Sequence, residues 1–256
     1  MSPPVQFLAL ALAGASLGLT SCKSKSKPNF EAILSLPPGT KDTVSEDTIV
    51  SDLQARVKFL SLTAEIDAGT AGDHRITVRL KAKNKDLALA QLDALCETGS
   101  LSVRAVHGQT VYLSAAVRTD PSKLPAGHEI MTFRIQAGEL SKSEDLVVAT
   151  AEIVNSSHVK SAETEAGKKH LIHISLTTNG GQQMQAATEK MQKGRSRLAI
   201  IYDERIISAP VVVHELRAQF TLEGFNSFEE AQAIAASLNK PLSTEVLLES
   251  LMPLAP

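Results

Sequence analysis

Ser208 is the first side chain to test for nucleophilic chemistry, because it stands in an unusual run, Ser208-Ala209-Pro210, between two apolar stretches. A catalytic serine needs a nearby base to take its proton and hydrogen-bond donors to hold the oxyanion. Here Ser208 lies outside any Gly-x-Ser-x-Gly elbow, and no His or Asp stands at a spacing typical of a triad. Because proline fixes φ and lacks an N–H, Pro210 instead predicts a bend between strands or a sheet edge.

The histidines do not form a metal-binding pattern. His170 and His173 are close in sequence, but three residues apart on a strand they point to opposite faces of the sheet. His128-Glu129 and His214-Glu215 each lack the second histidine that a zinc-binding helix places four residues after the first. The chain also has no phosphate-binding glycine loop and no dinucleotide fingerprint. The sequence therefore predicts no enzyme, no metal and no cofactor.

The composition argues against nucleic acid as a partner. The formal net charge is −2, there is no tryptophan, and only two tyrosines are present. Proteins that bind single strands combine a basic groove with aromatic stacking platforms, and this chain has neither pattern. Protein and membrane partners remain.

The first 22 residues are typical of an export signal. Phe7 to Leu19 is an uncharged apolar run, too short to span a bilayer. It ends in Leu19-Thr20-Ser21-Cys22, which resembles the lipobox of bacterial lipoproteins. That resemblance implies removal of residues 1–21 and a diacylglycerol on Cys22, which would anchor the chain to a bacterial membrane facing the periplasm. The alternative is an ordinary secretory signal with a chance cysteine.

Cys96 is then the remaining thiol, near the end of an amphipathic helix. We expect it to be buried and inert, with no disulfide.

The first structured unit is predicted over residues 44–107, after a Ser-, Lys-, Pro- and Gly-rich tether at 22–43. The apolar spacing predicts helices at about 46–60 and 85–96, the second capped by Asn84. Strands are expected at 61–66, 76–80 and 101–105. The order of helix, strand, strand, helix and strand is that of a ferredoxin-type sandwich, with helices on one face of a sheet.

A connecting region is expected at 108–144, with short strands around Val111–Ala115 and Ile130–Ile135. The second unit, 145–240, carries a predicted helix after Asn179-Gly180-Gly181 and a last helix that begins at Ser227. Its predicted strands are 146–151, 159–163, 171–176, a buried run at 198–201, 211–213 and 219–222. Ser227 and Glu230 fit a capping box, in which each side chain accepts from a free backbone N–H. Residues 241–256 are assigned to a C-terminal tail, with an amphipathic stretch at 244–251.

Residues 197–238 resemble the periplasmic region of SecD, the accessory subunit of the bacterial protein-export translocase. The resemblance rests on an apolar run, a polar turn, Ser208-Ala209-Pro210, an alternating strand, and Gly224-Phe225 before a helix. Weaker matches in the same order precede it: Gln54-Ala55-Arg56-Val57, Arg75-Ile76-Thr77-Val78-Arg79-Leu80, Leu92-Asp93-Ala94-Leu95 and Leu101-Ser102-Val103-Arg104-Ala105-Val106.

The SecD resemblance covers about 48–240 and implies an α+β fold with two ferredoxin-like sandwich subdomains, a base and a head, and mostly antiparallel sheets. It implies Ser208, Ala209, Pro210, Gly224 and Phe225 as motif positions for binding. One departure is the turn Asp203-Glu204-Arg205, where SecD-like sequences tend to have Asp-Gly. Because Glu204 tolerates a positive φ poorly, we expect a different turn type.

The leading functional hypothesis is a lipid-anchored, non-catalytic envelope protein that binds exported polypeptide or translocase components, with strand addition at a sheet edge as its mode. SecD couples its motion to a proton gradient through transmembrane helices, and the sequence contains no such segment. The alternative hypothesis is a structural or assembly lipoprotein that uses the same fold for other protein contacts.

Overall fold

The computed structural model describes residues 27–37, 45–69, 74–137, 140–165 and 170–255. The predicted signal peptide (1–21) and the predicted lipidation site, Cys22, lie outside these residues. The described residues form these helices and strands, in chain order: β1 Phe30–Ser35, α1 Glu46–Phe59, β2 Ala64–Ala68, β3 Arg75–Leu80, α2 Lys85–Cys96, β4 Leu101–Val106, α3 Thr110–Thr119, β5 His128–Ala137, β6 Leu140–Asn155, β7 Val159–Glu165, β8 Leu171–Leu176, α4 Thr178–Glu189, β9 Leu198–Tyr202, β10 Arg205–Ser208, β11 Gln219–Leu222, α5 Phe228–Asn239 and β12 Leu247–Pro253.

The base consists of one four-stranded sheet covered by α1 and α2. Its strand order is β12-β1-β3-β2, and every neighbouring pair is antiparallel. With the chain order β1, α1, β2, β3, α2, β12, this is the strand order of a ferredoxin-like sandwich. Ile49 and Leu53 from α1 and Leu92 from α2 are fully or almost fully buried against the sheet.

Two of the four base strands come from segments that the sequence assigned otherwise. β1 lies inside the predicted tether, and β12 lies inside the predicted tail, where they pair over Phe30–Ser35 and Leu247–Pro253. β4, expected as the last strand of this unit, pairs instead with β6 and β9. The head is therefore inserted between α2 and β12. Sequence periodicity reads local patterns, so it could not join strands that lie more than 200 residues apart.

The head contains a closed barrel, β10-β5-β6-β4-β9, and a three-stranded sheet, β11-β8-β7. Among the strand pairs that the described residues of the head form, only β10–β5 is parallel. All five residues of β9 are buried. Leu198, Ile200 and Tyr202 face the core shared with α4, α5 and the small sheet, while Ala199 and Ile201 face the barrel interior. β9 therefore separates two hydrophobic cores, which explains its unbroken apolar run.

The predicted class is confirmed: the fold is α+β with mostly antiparallel sheets in two subdomains. Two of the predicted strands are wrong. Residues 111–115 lie in α3 rather than in a strand, because Leu113, Ala116 and Val117 share the side that is partly covered. Residues 211–213 form no strand and make one isolated bridge, Val211 with Arg197. The capping of α2 by Asn84 is confirmed, with its side chain accepting from the Leu87 N–H at 2.9 Å.

None of the helices in the described residues has both the length and the apolar character needed to cross a bilayer.

Candidate functional site

The Ser208-Ala209-Pro210 segment forms an irregular bend at the end of β10 that stays hydrogen-bonded beside the start of β9. The Pro210 carbonyl accepts from the Leu198 N–H at 3.1 Å, and the Ala209 carbonyl accepts from Arg197 Nε at 3.1 Å. Ala209 packs against the barrel core. In the described part of the chain, no side chain hydrogen-bonds to the Ser208 hydroxyl. This geometry is that of a structural bend, and it leaves Pro210 at the surface.

Beyond this bend lies an apolar cavity of about 290 Å³. Its floor is formed by side chains of β4, α4 and β9: Val103, Met184, Leu198 and Ile200. One wall is the irregular segment from Pro210 to Leu216, and the other is β11. Val211 and Val213 are 45% and 66% exposed, so the rim presents apolar side chains to solvent. An open apolar cavity of this size fits side chains of a bound partner.

The wall formed by β11 is also a sheet edge. β11 pairs with β8 on one side, and no strand among the described residues pairs with its other side. The Leu176 N–H donates to the Ala218 carbonyl at 2.7 Å, which fixes the alternation of the ladder. In an antiparallel pair the hydrogen-bonded positions alternate, so the backbone groups of Gln219 and Thr221 face the open edge. Both residues also line the cavity.

Gly224 and Phe225 lie at the entry to α5, away from the cavity lining. Gly224 has φ +100°, a conformation that favours glycine, and Phe225 packs against the main head core. Half of the predicted capping box is present at the start of α5. Ser227 accepts from the Glu230 N–H at 3.1 Å, but Glu230 accepts from the Asn226 N–H at 2.7 Å instead of the Ser227 N–H. Of the five motif positions, the structure places only Pro210 at the cavity.

The turn between β9 and β10 contradicts the expectation from Glu204. Asp203 and Glu204 both have positive φ, at +43° and +63°, as in the hairpin turn that Asp-Gly favours. The Asp203 carboxylate accepts from the Thr98 hydroxyl at 2.5 Å and from the backbone N–H groups of Thr98, Gly99 and Ser100 at 2.7–3.3 Å. These bonds fix Asp203 in the turn and offset the strain at Glu204.

The same turn lies beside a buried polar row. The Tyr202 hydroxyl donates to Glu97 at 2.6 Å and lies 2.6 Å from the Ser237 hydroxyl, which in turn contacts the Ile234 carbonyl at 2.8 Å. Burial raises the pKa of Glu97 and also that of Tyr202. Because the Tyr202 hydrogen goes to Glu97, the Ser237 hydrogen is shared between the Ile234 carbonyl and the Tyr202 oxygen.

Several histidines make local polar contacts, whereas the buried Nδ1 of His170 has no hydrogen-bond partner among the described residues. His173 lies 2.9 Å from Glu165 and 3.1 Å from the Thr221 hydroxyl, across the three strands of the small sheet. His107 and His128 meet edge to face, with ring centroids 5.1 Å apart. The described residues hold no group of three or more His, Cys, Asp or Glu side chains arranged for a metal.

Sequence reasoning missed the cavity and the open edge. The signal was present in the alternation of Gln219–Leu222, which predicts a strand with two faces, but nothing local shows that its outer side lacks a partner. The sequence predicted a strand at 211–213, so it did not indicate that Val211 and Val213 form the exposed rim of the cavity.

Comparison with family models matches residues 129–241 to the SecDF P1 head subdomain. The matched segment runs from β5 through α5 and contains both the cavity wall and the bend at Pro210. It begins inside the region 108–144 that the sequence suggested as a connection. The comparison with curated proteins found no match.

Two solved structures resemble this chain in fold. A crystal structure of SecDF in its super-membrane-facing form shares 20% sequence identity with a TM-score of 0.61, covering 89% of this chain and 30% of that chain. A structure of SecDF, described as a membrane component that enhances protein export, shares 21% identity with a TM-score of 0.56, covering 86% of this chain and 98% of that chain. This chain thus spans less than a third of the first SecDF chain. It resembles the periplasmic region of SecD, and residues 129–241 match the SecDF P1 head subdomain.

Proposed function

We propose that this protein is a lipid-anchored, non-catalytic envelope protein that binds extended polypeptide during protein export. The observation that carries the proposal is the apolar cavity beside the open edge of β11. The SecDF-like fold and the head match support a place in protein export, where a similar structure is described as enhancing export. Because this chain spans 30% of the first SecDF chain, we propose translocase components as partners rather than a whole SecDF activity.

We propose strand addition as the binding mode. The outward backbone groups of Gln219 and Thr221 offer hydrogen bonds that do not depend on the sequence of the ligand. Successive side chains of an added strand point to opposite faces, so alternate residues would enter the cavity between Met184 and the rim valines. This combination suits an unfolded chain with apolar residues at alternate positions.

The anchor and the domain limits belong to the same proposal. Diacylglycerol on Cys22 would hold the protein at a membrane, facing the periplasm, and several acyl chains would make the attachment stable at about 0.8 kcal/mol per buried methylene. We propose the four-stranded sheet with α1 and α2 as the membrane-proximal base and the barrel with the small sheet as the head.

A proline at the edge tests the binding mode. Thr221→Pro removes an outward N–H but no hydrogen bond to β8, so the sheet is expected to persist. Loss of one or two backbone hydrogen bonds lowers affinity about tenfold. The probe is a fluorescently labelled peptide of alternating valine and threonine, and the measurement is fluorescence anisotropy.

Thr221→Val is the matched control, because it keeps the backbone N–H and removes only the hydroxyl that contacts His173. We expect it to bind the peptide as the wild type does. Equal affinity of the proline variant and the wild type, with circular dichroism unchanged, would contradict strand addition.

The alternative, a structural or assembly lipoprotein, is favoured by a second surface. Val111 and Tyr112 at the start of α3 are 73% and 70% exposed and do not line the cavity. A photocrosslinking amino acid placed in cells at Val213 or at Tyr112 separates the two functions. Varied exported polypeptides captured at position 213 support the first function. A single envelope protein captured at position 112, with nothing at 213, supports the second.

A further inference from the structure

The base and the head are connected by two chain crossings. One runs from the end of α2 into β4, and the other runs from the end of α5 towards β12. The crossings contact each other, because the Leu242 N–H donates to the Thr98 carbonyl at 2.8 Å. Leu242 and Val246 of the second crossing belong to the base core. The two crossings therefore run side by side. The contacts at this junction determine how the base and the head are oriented relative to each other.

Arg56 of α1 lies between these crossings and is completely buried. Nε and Nη2 both donate to the Lys240 carbonyl, at 2.9 and 2.7 Å. Nη1 donates to the carbonyls of Leu95, at 2.7 Å, and Glu97, and Nη2 also donates to the Thr98 carbonyl at 3.3 Å. A guanidinium group has five N–H bonds, and all five are used.

The acceptors explain how a buried cation is tolerated without a carboxylate among its hydrogen-bond partners. Leu95 and Glu97 lie at the C-terminal end of α2, and Lys240 is the C-cap of α5. Each helix C-terminus carries the equivalent of about −0.5 charge. Two such ends facing one guanidinium together balance its charge, so the arginine stabilises both helix ends only while they stay together.

Asp203, which belongs to the head, binds the first of the two crossings. Its carboxylate accepts from three successive backbone N–H groups of the first crossing, Thr98, Gly99 and Ser100. Arg56 thus binds carbonyls of the crossings from the base, and Asp203 binds N–H groups from the head. Tyr202 and Ser237 pack beside them and are almost fully buried.

We infer that Arg56 is a positioning residue that locks the base and the head in one relative orientation, so that the two subdomains move as a single body. The chain then presents its cavity at a fixed angle to the base. This inference does not depend on polypeptide binding, because the orientation is measured without a ligand.

The test is the distance between spin labels on the two subdomains, measured by double electron–electron resonance. Asp86→Cys on α2 and Gln182→Cys on α4 are exposed label sites, introduced into the full chain with Cys22→Ser. The wild-type junction is expected to give one narrow distance distribution. Two separated distances, or a broad distribution, would overturn the proposal.

Arg56→Lys sharpens the test, because an ammonium group has three N–H bonds and cannot form the planar fork. We expect this variant to broaden the distribution. Arg75→Lys is the matched control, since Arg75 is an exposed base arginine that pairs with Glu249 at 3.0 Å, and it should leave the distribution narrow.

A folded Arg56→Lys variant with an unchanged narrow distance contradicts the proposal, and so does equal broadening by both variants. If Arg56→Lys does not fold, the distribution of the wild-type junction decides the question alone.

Discussion

The junction between the subdomains and the rim of the head cavity are built in opposite ways. At the junction, Arg56 uses every donor, and Asp203 accepts from four. At the rim, Val211 and Val213 are exposed and the outer edge of β11 has no strand partner among the described residues. Buried polar groups with complete hydrogen bonding favour one structure, while unsatisfied edges and exposed apolar side chains favour contacts with other chains.

This difference separates two tasks within one chain. The junction can be tight because its chemistry is internal and involves no partner. The rim gives up burial of its valines and pairing of its edge, which weakens it as a folding unit but leaves it ready for a ligand. Changes at the junction should therefore affect stability, and changes in the head should have smaller effects on folding.

Substitution of two glycines with positive φ tests this contrast, and it gives the largest expected loss of stability. Gly99 at the junction has φ +76°, and a Cβ there would lie 2.4 Å from the Ser237 carbonyl oxygen. Gly224 in the head has φ +100°, but no atom lies within 4 Å of its Cβ position. Gly224→Ala should lose about 1–2 kcal/mol of stability from backbone strain. Gly99→Ala adds overpacking and should lose about 2–5 kcal/mol.

Urea denaturation followed by circular dichroism measures both losses. Gly194→Ala is a suitable control, because Gly194 has φ +74° and open space around its Cβ position, as at Gly224. Losses of equal size at Gly99 and Gly224 would mean that the junction is not tightly packed.

Local features of the fold were accessible from sequence, and non-local ones were not. The helix caps at Asn84 and Ser227, the buried run at 198–201 and the alternation at 76–80 depend on neighbours in the chain, so they predicted their elements correctly. β1 and β12 find each other across almost the whole chain, and neither has a hydrophobic alternation strong enough to indicate a partner.

Arg56 shows the same limit of sequence-based prediction, here for a side chain with a proposed role. Arg56 lies three residues after Leu53 on the buried stripe of α1, but its charge alone would predict a solvated group. Its acceptors lie 39 to 184 residues further along the chain, at helix ends that meet only in the folded protein. The motif positions Ser208 and Gly224 were visible because unusual residue types mark them, but the surface beside them depends on a missing strand partner, which no residue type encodes.

Two carboxyl groups, one at the junction and one in the head, are expected to contribute less to stability, and their contributions depend on pH in opposite directions. Burial raises the pKa of Glu97 at the junction above its usual 4.5, so the native state holds a proton that the unfolded chain loses. Its stabilising contribution is present below pH 4.5 and is lost as pH rises through the raised pKa. Hydrogen bonds from Arg118 and Thr132 lower the pKa of Asp145 in the head below its usual 3.8. That contribution is present above pH 3.8 and is lost as pH falls.

These two contributions are separated by measuring the unfolding free energy of the Glu97→Gln and Asp145→Asn variants from pH 3 to 7. Glutamine imitates the protonated acid, so Glu97→Gln should remove the loss of stability on the alkaline side of pH 4.5. Asp145→Asn should remove a loss on the acidic side that is at most about 1 kcal/mol, because Arg118 is largely exposed. A Glu97→Gln profile parallel to that of the wild type would contradict the raised pKa.

The smallest expected effect concerns Cys96, which should not react with thiol reagents in the native protein. Cys96 is the last residue of α2, partly buried against the base core, and burial raises the pKa of its thiol to about 12. Since the thiolate is the reactive form, a thiol reagent at pH 8 should leave Cys96 unmodified in the native Cys22→Ser chain and modify it once urea unfolds the protein. Val213→Cys in the same chain is the matched control, because its position on the rim is 66% exposed and should react at once. Rapid native labelling of Cys96 would show that this end of α2 opens, and a junction that opens so readily could not hold the base and the head in one orientation.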